Sequence, residues 1–100
     1  MIARVWKGTA RDGALDDYLA HLEHTLVPEL QQLDGFRGLE VLRRRDSLDL
    51  IVITRWESMD AVTRFAGEDP AVAVVPPAAQ RLLAAYDRHV EHFVVALAAS

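Results

Sequence analysis

The chain contains no cysteine and no long apolar run. Without thiols it can form no disulfide, hold no metal through thiolates and use no cysteine nucleophile. Arg4 and Lys7 interrupt the apolar N-terminal segment, and no later stretch is long and apolar enough to cross a bilayer. We therefore expect neither a signal peptide nor a membrane span, and we expect a cytoplasmic protein.

Basic charge is also scarce, because the net charge is −4 over 100 residues. A surface that holds nucleic-acid phosphates has to be positive, so nucleic acid is not an expected partner. The only basic run, Arg43–Arg45, is predicted to be a solvated hairpin end, with an anion site as the alternative. The chain also lacks a glycine-rich phosphate loop, a serine in a nucleophile elbow and a close carboxylate pair suited to hydrolysis.

The residues that are present predict one domain over residues 1–100, with a modest core of its own. Ile2–Gly8 alternates like a strand, with Ile2 and Trp6 on one face. Asp12 and Gly13 then open a helix that ends at Gly35, where a left-handed C-cap is expected. The apolar residues of this helix fall on one stripe at 3.6-residue spacing: Leu15, Tyr18, Leu19, Leu22, Leu26, Leu30 and Leu33.

Pro28 lies inside the predicted helix, opposite the leucine stripe. It removes the backbone hydrogen bond to the carbonyl of His24, so we expect the helix to bend around a core. Phe36–Arg44 and Leu48–Trp56 follow as two strands, separated by a short polar turn. The tight spacing predicts that these two strands form an antiparallel hairpin.

Ser58 is the expected N-cap of a second helix, which Gly67 ends. The segment after it, residues 68–75, is left open, with a helical turn as one alternative. Pro77 can begin a further helix, predicted to run through Tyr86, and His89–Leu97 is predicted as the last strand. The order β-α-β-β-α-β, with one additional helix, predicts an α+β ferredoxin-like fold with an antiparallel sheet.

Both helices of that fold cover one face of the sheet, so the other face should be polar. In this chain it is not: Leu50 and Val52 alternate with Ile51 and Ile53 in one strand. Such a face would expose more apolar area than soluble monomers usually tolerate. We therefore predict a homodimer formed by sheet-to-sheet stacking. The alternative is that the additional helix and the C-terminal residues cover this face within one chain.

Four segments resemble the antibiotic biosynthesis monooxygenase (ABM) superfamily. They are MIARVWKG, LVPELQQLDGFRG, ITRWESMDAV and the closing FAGEDPAVAVVPPAAQRLLAAYDRHVEHFVV, which resembles a subgroup of small ABM-like proteins. These segments are fold markers, not catalytic signatures. The resemblance implies a dimeric α/β barrel with a ligand cavity between the sheet and the two helices. The enzymes of this superfamily oxidise phenolic polyketides with dioxygen and without a metal or flavin, or they degrade haem.

The haem-degrading pattern of this superfamily matches the chain poorly. It expects an Asn late in the first strand, where Trp6 or Lys7 stands, and a haem-ligating His where Val75 stands. This pattern also expects an aromatic residue in the second helix, and only Phe65 corresponds to it. Many other members carry a His at that same position, so their polar group is missing here as well. We therefore do not expect haem degradation.

The resemblance implies a monooxygenase that needs no cofactor and acts on an aromatic or polycyclic small molecule. His92 is the predicted proton acceptor, because an imidazole can titrate near neutral pH. The predicted hydrogen-bond donors are Trp6 and Tyr18, and the predicted cavity walls are Trp56 and Phe65. Each has a structural alternative, such as core packing for Trp56 and a hydrogen-bonded structural role for His92.

The rival interpretation is a non-catalytic ABM-like dimer that binds a small hydrophobic ligand or serves as an accessory subunit. Phe65 favours it, because relatives often place a polar group there. Asp17, His21 and His24 share one helix face at a spacing that zinc could use. A solvated helix face is the preferred interpretation of these three residues, and we predict no metal site.

Overall fold

A computed structural model describes all residues, 1–100, and shows an antiparallel sheet with helices on one face. The first strand, β1, spans Ile2–Ala10. A continuous helical path follows, made of three parts: α1 (Leu15–His21), a π-helical segment (Leu22–Leu26) and α2 (Val27–Gln31). The remaining elements are β2 (Phe36–Arg43), β3 (Asp49–Trp56), α3 (Met59–Ala66), α4 (Pro77–Gln80), β4 (Leu83–Tyr86) and β5 (Glu91–Val94).

The strands are arranged in the order β2-β3-β1-β4, and β5 also pairs with β1. The last position in the sheet is therefore shared by two short strands. Strand β5 pairs with the start of β1, where Ile2 is opposite Val94, and β4 pairs with its end, where Ala10 is opposite Leu83. This order, with the helices packed as one layer on one face of the sheet, confirms the predicted ferredoxin-like α+β fold.

The C-terminal third is where the predicted elements were wrong. The predicted helix from Pro77 to Tyr86 ends at Gln80, and the next residues form β4. The predicted strand His89–Leu97 is reduced to Glu91–Val94. The physical reason is that β1 continues to Ala10, and an unpaired edge there would leave backbone donors and acceptors without partners. Pairing with β4 satisfies these groups, and this long-range gain outweighs the helix propensity of an alanine-rich segment.

Pro28 changes the hydrogen-bonding pattern of the helix. It lies in the first turn of α2, directly after the π-helical segment that contains His24. A proline has no N–H to donate to the carbonyl four residues earlier, and a π-helical turn accommodates such a missing bond. The leucine stripe is largely buried as predicted, with Leu22 and Leu30 in the core, although Leu19 stays 36% exposed.

The predicted helix ends are confirmed by their local geometry. Ser58 caps α3, its hydroxyl accepting a hydrogen bond from the backbone N–H of Ala61 at 3.2 Å. Gly67 follows α3 with φ of +90°, and Gly35 lies in the turn after α2 with φ of +89°. A left-handed backbone is tolerated by glycine at little cost, which explains why both helical stretches end where they do.

Two buried clusters fill the space between sheet and helices. The Trp56 cluster consists of Leu30, Trp56, Ala61 and Val62. The Tyr18 cluster is larger and consists of Ala10, Tyr18, Leu22, Leu50, Val52, Ala79 and Leu83. Because Ala79 belongs to the second cluster, α4 packs on the helical side of the sheet.

The opposite face of the sheet is left open by this arrangement. Ile51 and Ile53 lie there, only partly buried, and Leu42 and Phe93 are 43% and 50% exposed. The predicted alternative in which the chain covers this face itself is not observed, since α4 lies on the other side and Leu97 in the C-terminal segment is 88% exposed. No helix is long and apolar enough to cross a membrane.

Candidate functional site

A cavity of about 220 Å³ lies between the sheet and the helices. Eleven of its 16 lining residues are hydrophobic, so its walls are mainly apolar. The helical path contributes Leu22, Leu26 and Leu30, the sheet contributes Val52, and the segment before α4 contributes Val74, Val75 and Pro76. A largely apolar cavity with a few polar groups is the usual form of a small-molecule site.

Five polar side chains interrupt these apolar walls: Arg4, Tyr18, His21, Glu29 and Thr54. Arg4 and Thr54 lie directly opposite each other in the β1–β3 ladder, so both side chains project from the sheet into the helical layer. Tyr18 and His21 are three residues apart in α1 and therefore share a helix face. The polar groups thus approach the cavity from both layers.

Arg4 is a buried cation that contacts no carboxylate. Its side chain is only 5% exposed, and none of the three ion pairs in the protein includes it. Its guanidinium donates to the backbone carbonyls of Pro70 and Val72 and contacts Nε2 of His92 at 3.0 Å. The guanidinium carbon also lies 5.8 Å from the centre of the Phe65 ring. Burial lowers the pKa of Arg4 below its usual value.

His92 lies behind Arg4 and does not line the cavity. An arginine can only donate hydrogen bonds, so Nε2 of His92 must be the acceptor and Nδ1 must carry the proton of the neutral ring. Burial, and secondarily the charge of Arg4, lowers the pKa of His92. The neutral imidazole therefore has its one lone pair engaged by Arg4. His89, by contrast, is exposed and pairs with Val72 in an isolated bridge.

Tyr18 presents a phenol to the cavity. The residue is 2% exposed, and its hydroxyl forms no hydrogen bond with another protein group. Every fully enclosed polar side-chain atom of the protein has a hydrogen-bond partner, so this hydroxyl is not fully enclosed. The hydroxyl is therefore accessible from the cavity that Tyr18 lines. Burial raises the pKa of Tyr18 to about 12, so the phenol keeps its proton at neutral pH. It can donate a hydrogen bond to a bound molecule.

The two tryptophans have different positions. Trp6 lines the cavity, and its indole N–H already donates to the carbonyl of Asp87 at 2.8 Å. Trp56 is fully buried, outside the cavity wall, and its indole donates to the Thr54 hydroxyl at 2.9 Å. Its ring stacks on Phe65 with centroids 5.3 Å apart and meets Phe36 edge-on at 5.4 Å. Phe65 thus separates Trp56 from the cavity that Phe65 itself lines.

Of the five site residues predicted from the sequence, the structure brings Trp6, Tyr18 and Phe65 together around the cavity and places Trp56 and His92 outside its wall. The functional roles given to all five stay predictions. Arg4 was missed, although its place between Ile2 and Trp6 in an alternating strand put it on the face that the helices cover.

His21 was also missed as a cavity residue. It was assigned to a solvated helix face with Asp17 and His24, but it is half-buried and lines the cavity, whereas the other two are exposed. The helical wheel places it beside the apolar stripe, at the boundary between the buried and solvated faces. No three His, Asp or Glu side chains in the structure lie close enough together to hold a metal ion.

The profile described as antibiotic biosynthesis monooxygenase matches residues 1–77, which is most of the chain. The chain belongs to the antibiotic biosynthesis monooxygenase (ABM) family. The resemblance inferred from the sequence segments is thereby confirmed. A search of the curated proteins finds no match.

Several solved structures have a similar fold. SnoaB, a cofactor-independent oxygenase from Streptomyces nogalater, shares 20% identity over 97% of this chain and 94% of its own, with a TM-score of 0.73. The heme-degrader MhuD from Mycobacterium tuberculosis shares 17% over 100% of both chains, with a TM-score of 0.73. Protein SO0527 from Shewanella oneidensis shares 18% over 92% of this chain and 87% of its own, with a TM-score of 0.70. At these identities the similarity shows the fold alone.

Proposed function

We propose that this ABM-family protein binds a small aromatic molecule in its cavity and oxidises it with dioxygen, without a metal or flavin. The observation that supports this most strongly is the convergence of Tyr18, His21 and Arg4 on a mainly apolar cavity. Polar groups that converge in an apolar site are the arrangement that proton transfer and charge stabilisation require. The cavity volume of about 220 Å³ favours a substrate of few rings, because drug-sized ligands usually occupy about 300–1,000 Å³.

The proposed reaction begins when a base removes a proton from an acidic C–H or phenolic O–H group of the substrate. The resulting carbanion or enolate reacts directly with dioxygen. When a CH₂ group becomes C=O, one oxygen atom enters the product and the other leaves as water. The substrate supplies all the electrons for this change, so no external reductant is needed. The protein contributes an apolar cavity and fixed dipoles near the developing charge.

His21 is the proton acceptor that the cavity geometry favours, because it is the histidine that lines the cavity. His92, the acceptor predicted from the sequence, would first have to release the guanidinium of Arg4. We assign it the role of holding Arg4 in place. Tyr18 remains the proposed hydrogen-bond donor, whereas the N–H of Trp6 is already engaged by Asp87.

Haem does not fit this cavity well, although one structural relative degrades it. Val75, which stands where the haem-ligating His is expected, lines the cavity with a side chain that cannot bind iron. His21 is the one imidazole in the wall, and the volume is below the range usual for drug-sized ligands. Haem degradation is therefore not part of the proposed function.

The function can be tested by measuring oxygen consumption with an anthrone-like substrate in metal-free buffer. We expect His21→Ala to lower kcat by about 10²-fold or more, the usual contribution of a positioned base. His24→Ala is the matched control, because His24 is exposed in the same helical path and does not line the cavity. If His92→Ala lowered kcat to this extent and His21→Ala did not, His92 would be the acceptor.

A second candidate, favoured by Phe65 in the cavity wall, is a non-catalytic protein that binds a small hydrophobic ligand. Relatives often have a polar group at this position. Ligand binding without oxygen consumption across a panel of anthrones, hydroquinones and naphthols would support this candidate and contradict the oxygenase proposal.

We further propose that two copies stack through the open faces of their sheets. The observation that supports this is the exposed apolar surface around Ile51, Ile53, Leu42 and Phe93. Covering such a surface is favourable by about 25 cal/mol per Å². Light scattering should give a dimer mass for the wild type and for Thr63→Glu, an exposed helix position, and a monomer mass for Ile53→Glu. A monomeric wild type at micromolar concentration would contradict the proposal.

A further inference from the structure

Arg4 carries its charge into the cavity wall without an anion to balance it. Its three contacts are two backbone carbonyls and a neutral imidazole. Burying a cation costs several kcal/mol, and neutral acceptors compensate for this only in part. Arginine also cannot avoid the cost by losing its proton at ordinary pH. A buried, uncompensated cation in a cavity wall is an unusual feature that a ligand could complete.

The guanidinium also has donors to spare. It carries five N–H groups, of which two on Nη1 and one on Nη2 are used by Pro70, His92 and Val72. The Nε–H group and the second N–H of Nη2 donate to no protein acceptor. Because no fully enclosed polar side-chain atom lacks a partner, Nε must be accessible. Nε–H lies on the same edge of the guanidinium as Nη2, and this edge is the one that can face a planar oxyanion.

We propose that the cavity selects an organic anion, an aromatic body that carries a carboxylate or a phenolate-type oxygen, and that Arg4 binds this oxygen. The proposal rests on the cavity being a ligand site, and it adds the charge of the ligand. It also gives the reaction a specific electrostatic element, since the anion formed by deprotonation carries its charge on such an oxygen.

The surroundings of Arg4 agree with this assignment. Thr54, directly opposite Arg4 in the ladder, accepts the indole N–H of Trp56, so its own O–H remains available to donate to a ligand. The guanidinium carbon lies 5.8 Å from the centre of the Phe65 ring, within the range of a cation–π contact. Glu29 is the only carboxylate that lines the cavity, and it is exposed and forms no ion pair with Arg4.

The competing explanation is that Arg4 is purely structural. Its bonds to Pro70 and Val72 fasten β1 to the irregular segment after α3. A clamp of this kind would stabilise the fold but give the cavity no preference between an anion and a neutral molecule of the same shape. The two explanations therefore differ in the selectivity of the wild-type protein.

The first experiment compares matched ligand pairs by isothermal titration calorimetry on the wild type. One pair is 2-naphthoate against neutral 2-naphthalenemethanol, and the other is 2,4-dinitrophenolate against neutral 2,4-dinitroanisole. We expect at least one anion to bind about tenfold to a hundredfold more tightly than its neutral partner, as charge-assisted hydrogen bonds provide. The pair that discriminates identifies whether a carboxylate or a phenolate oxygen is preferred. Equal or weaker binding of both anions would overturn the proposal.

The second experiment attributes the selectivity to Arg4. Arg4→Met should abolish the preference for the anion, and Arg4→Lys, which keeps the charge but not the fork, should retain part of it. Arg64→Met is the matched control, because it removes the same charge from an exposed position of α3. If Arg4→Met does not fold, the wild-type pairs and Arg4→Lys still decide the question. Unchanged selectivity in folded Arg4→Met would overturn the assignment.

These measurements need no turnover, so they are independent of the oxygenase proposal. Anion selectivity without oxygen consumption would keep the binding assignment and remove the reaction. Oxygen consumption without anion selectivity would keep the reaction and remove the role of Arg4.

Discussion

The two ends of the layer between sheet and helices are built from similar residues but are filled differently. At one end the Trp56 cluster is closed, with Trp56 and Val62 fully buried and two aromatic rings packed on the indole. At the other end the walls around Tyr18 enclose a cavity. The same sheet face and the same helical path thus provide a packed cluster at one end and a cavity at the other.

The two ends differ because the two strands supply different side chains to them. At the closed end β3 supplies Trp56, a large flat ring that its neighbours can cover completely. At the open end β1 supplies Arg4, whose head turns to the carbonyls of Pro70 and Val72 and cannot fill apolar space as a core residue would. A buried polar group has to keep its hydrogen-bond partners, so apolar side chains cannot take the place of those partners. The cavity is therefore next to the one buried charge of the sheet.

The largest effect that would test this contrast is loss of the indole at the closed end. We expect Trp56→Ala to lower the free energy of unfolding by about 3–5 kcal/mol, because it leaves a cavity in a packed cluster. Trp6→Ala should cost about 1–2 kcal/mol, because its ring borders space that is already empty. Urea denaturation at one protein concentration measures both. Equal losses would mean that the two ends are equally well packed.

A smaller effect is expected from adding volume at each end. Ala61 is buried and lies close to the backbone of Gly35. A β-carbon built on Gly35 would lie only 2.6 Å from the β-carbon of Ala61, so there is no free space beside Ala61. Ala61→Leu should cost about 1–3 kcal/mol by overpacking. Ala79 lines the cavity, so Ala79→Leu should cost clearly less while it abolishes ligand binding. The same urea titrations and calorimetry test this, and a larger loss for Ala79→Leu would contradict a preformed cavity.

The smallest effect is a pH dependence that the Tyr18 phenol causes. Burial raises the pKa of Tyr18 to about 12 in the folded state, whereas an unfolded tyrosine has its ordinary value of about 10. Below pH 10 both states hold the proton. As the pH rises through this window the unfolded state loses it first, so stability falls, by about 1 kcal/mol near pH 11. Unfolding free energies of the wild type and Tyr18→Phe should diverge in this window, and parallel curves would mean that the phenol is solvated.

Local elements were predictable from the sequence because their causes are local. The alternation of β1, the cap at Ser58 and the left-handed glycines at Gly35 and Gly67 depend on a few neighbouring residues, and each has the predicted geometry. The last part of the chain was mispredicted because its structure depends on a distant partner. Residues Leu83–Tyr86 have the composition of a helix, and they form a strand only because the end of β1 offers an unpaired edge.

The candidate site shows the same division between local and long-range causes. Tyr18 and Trp6 were placed on the inner faces of their elements by periodicity alone, and both line the cavity. Periodicity could not distinguish Trp6 from Trp56, because both side chains point toward the helices. Only the packing around them decides that Trp6 lines the cavity and Trp56 lies in the core. It also gave no reason to join Arg4 to Pro70, Val72 and His92, which are at least 66 positions away along the chain.

The amino-acid sequence by itself determined the fold class, the helix ends and the family, since these follow from hydrophobic period, capping residues and shared segments. The tertiary structure alone decided that two short strands share the edge of β1 and that Trp56 lies in the core while Trp6 lines the cavity. It also decided that Arg4 is buried in the cavity wall and forms no ion pair. The physical reason is that backbone pairing, packing and charge burial act between residues that meet only after the chain has folded.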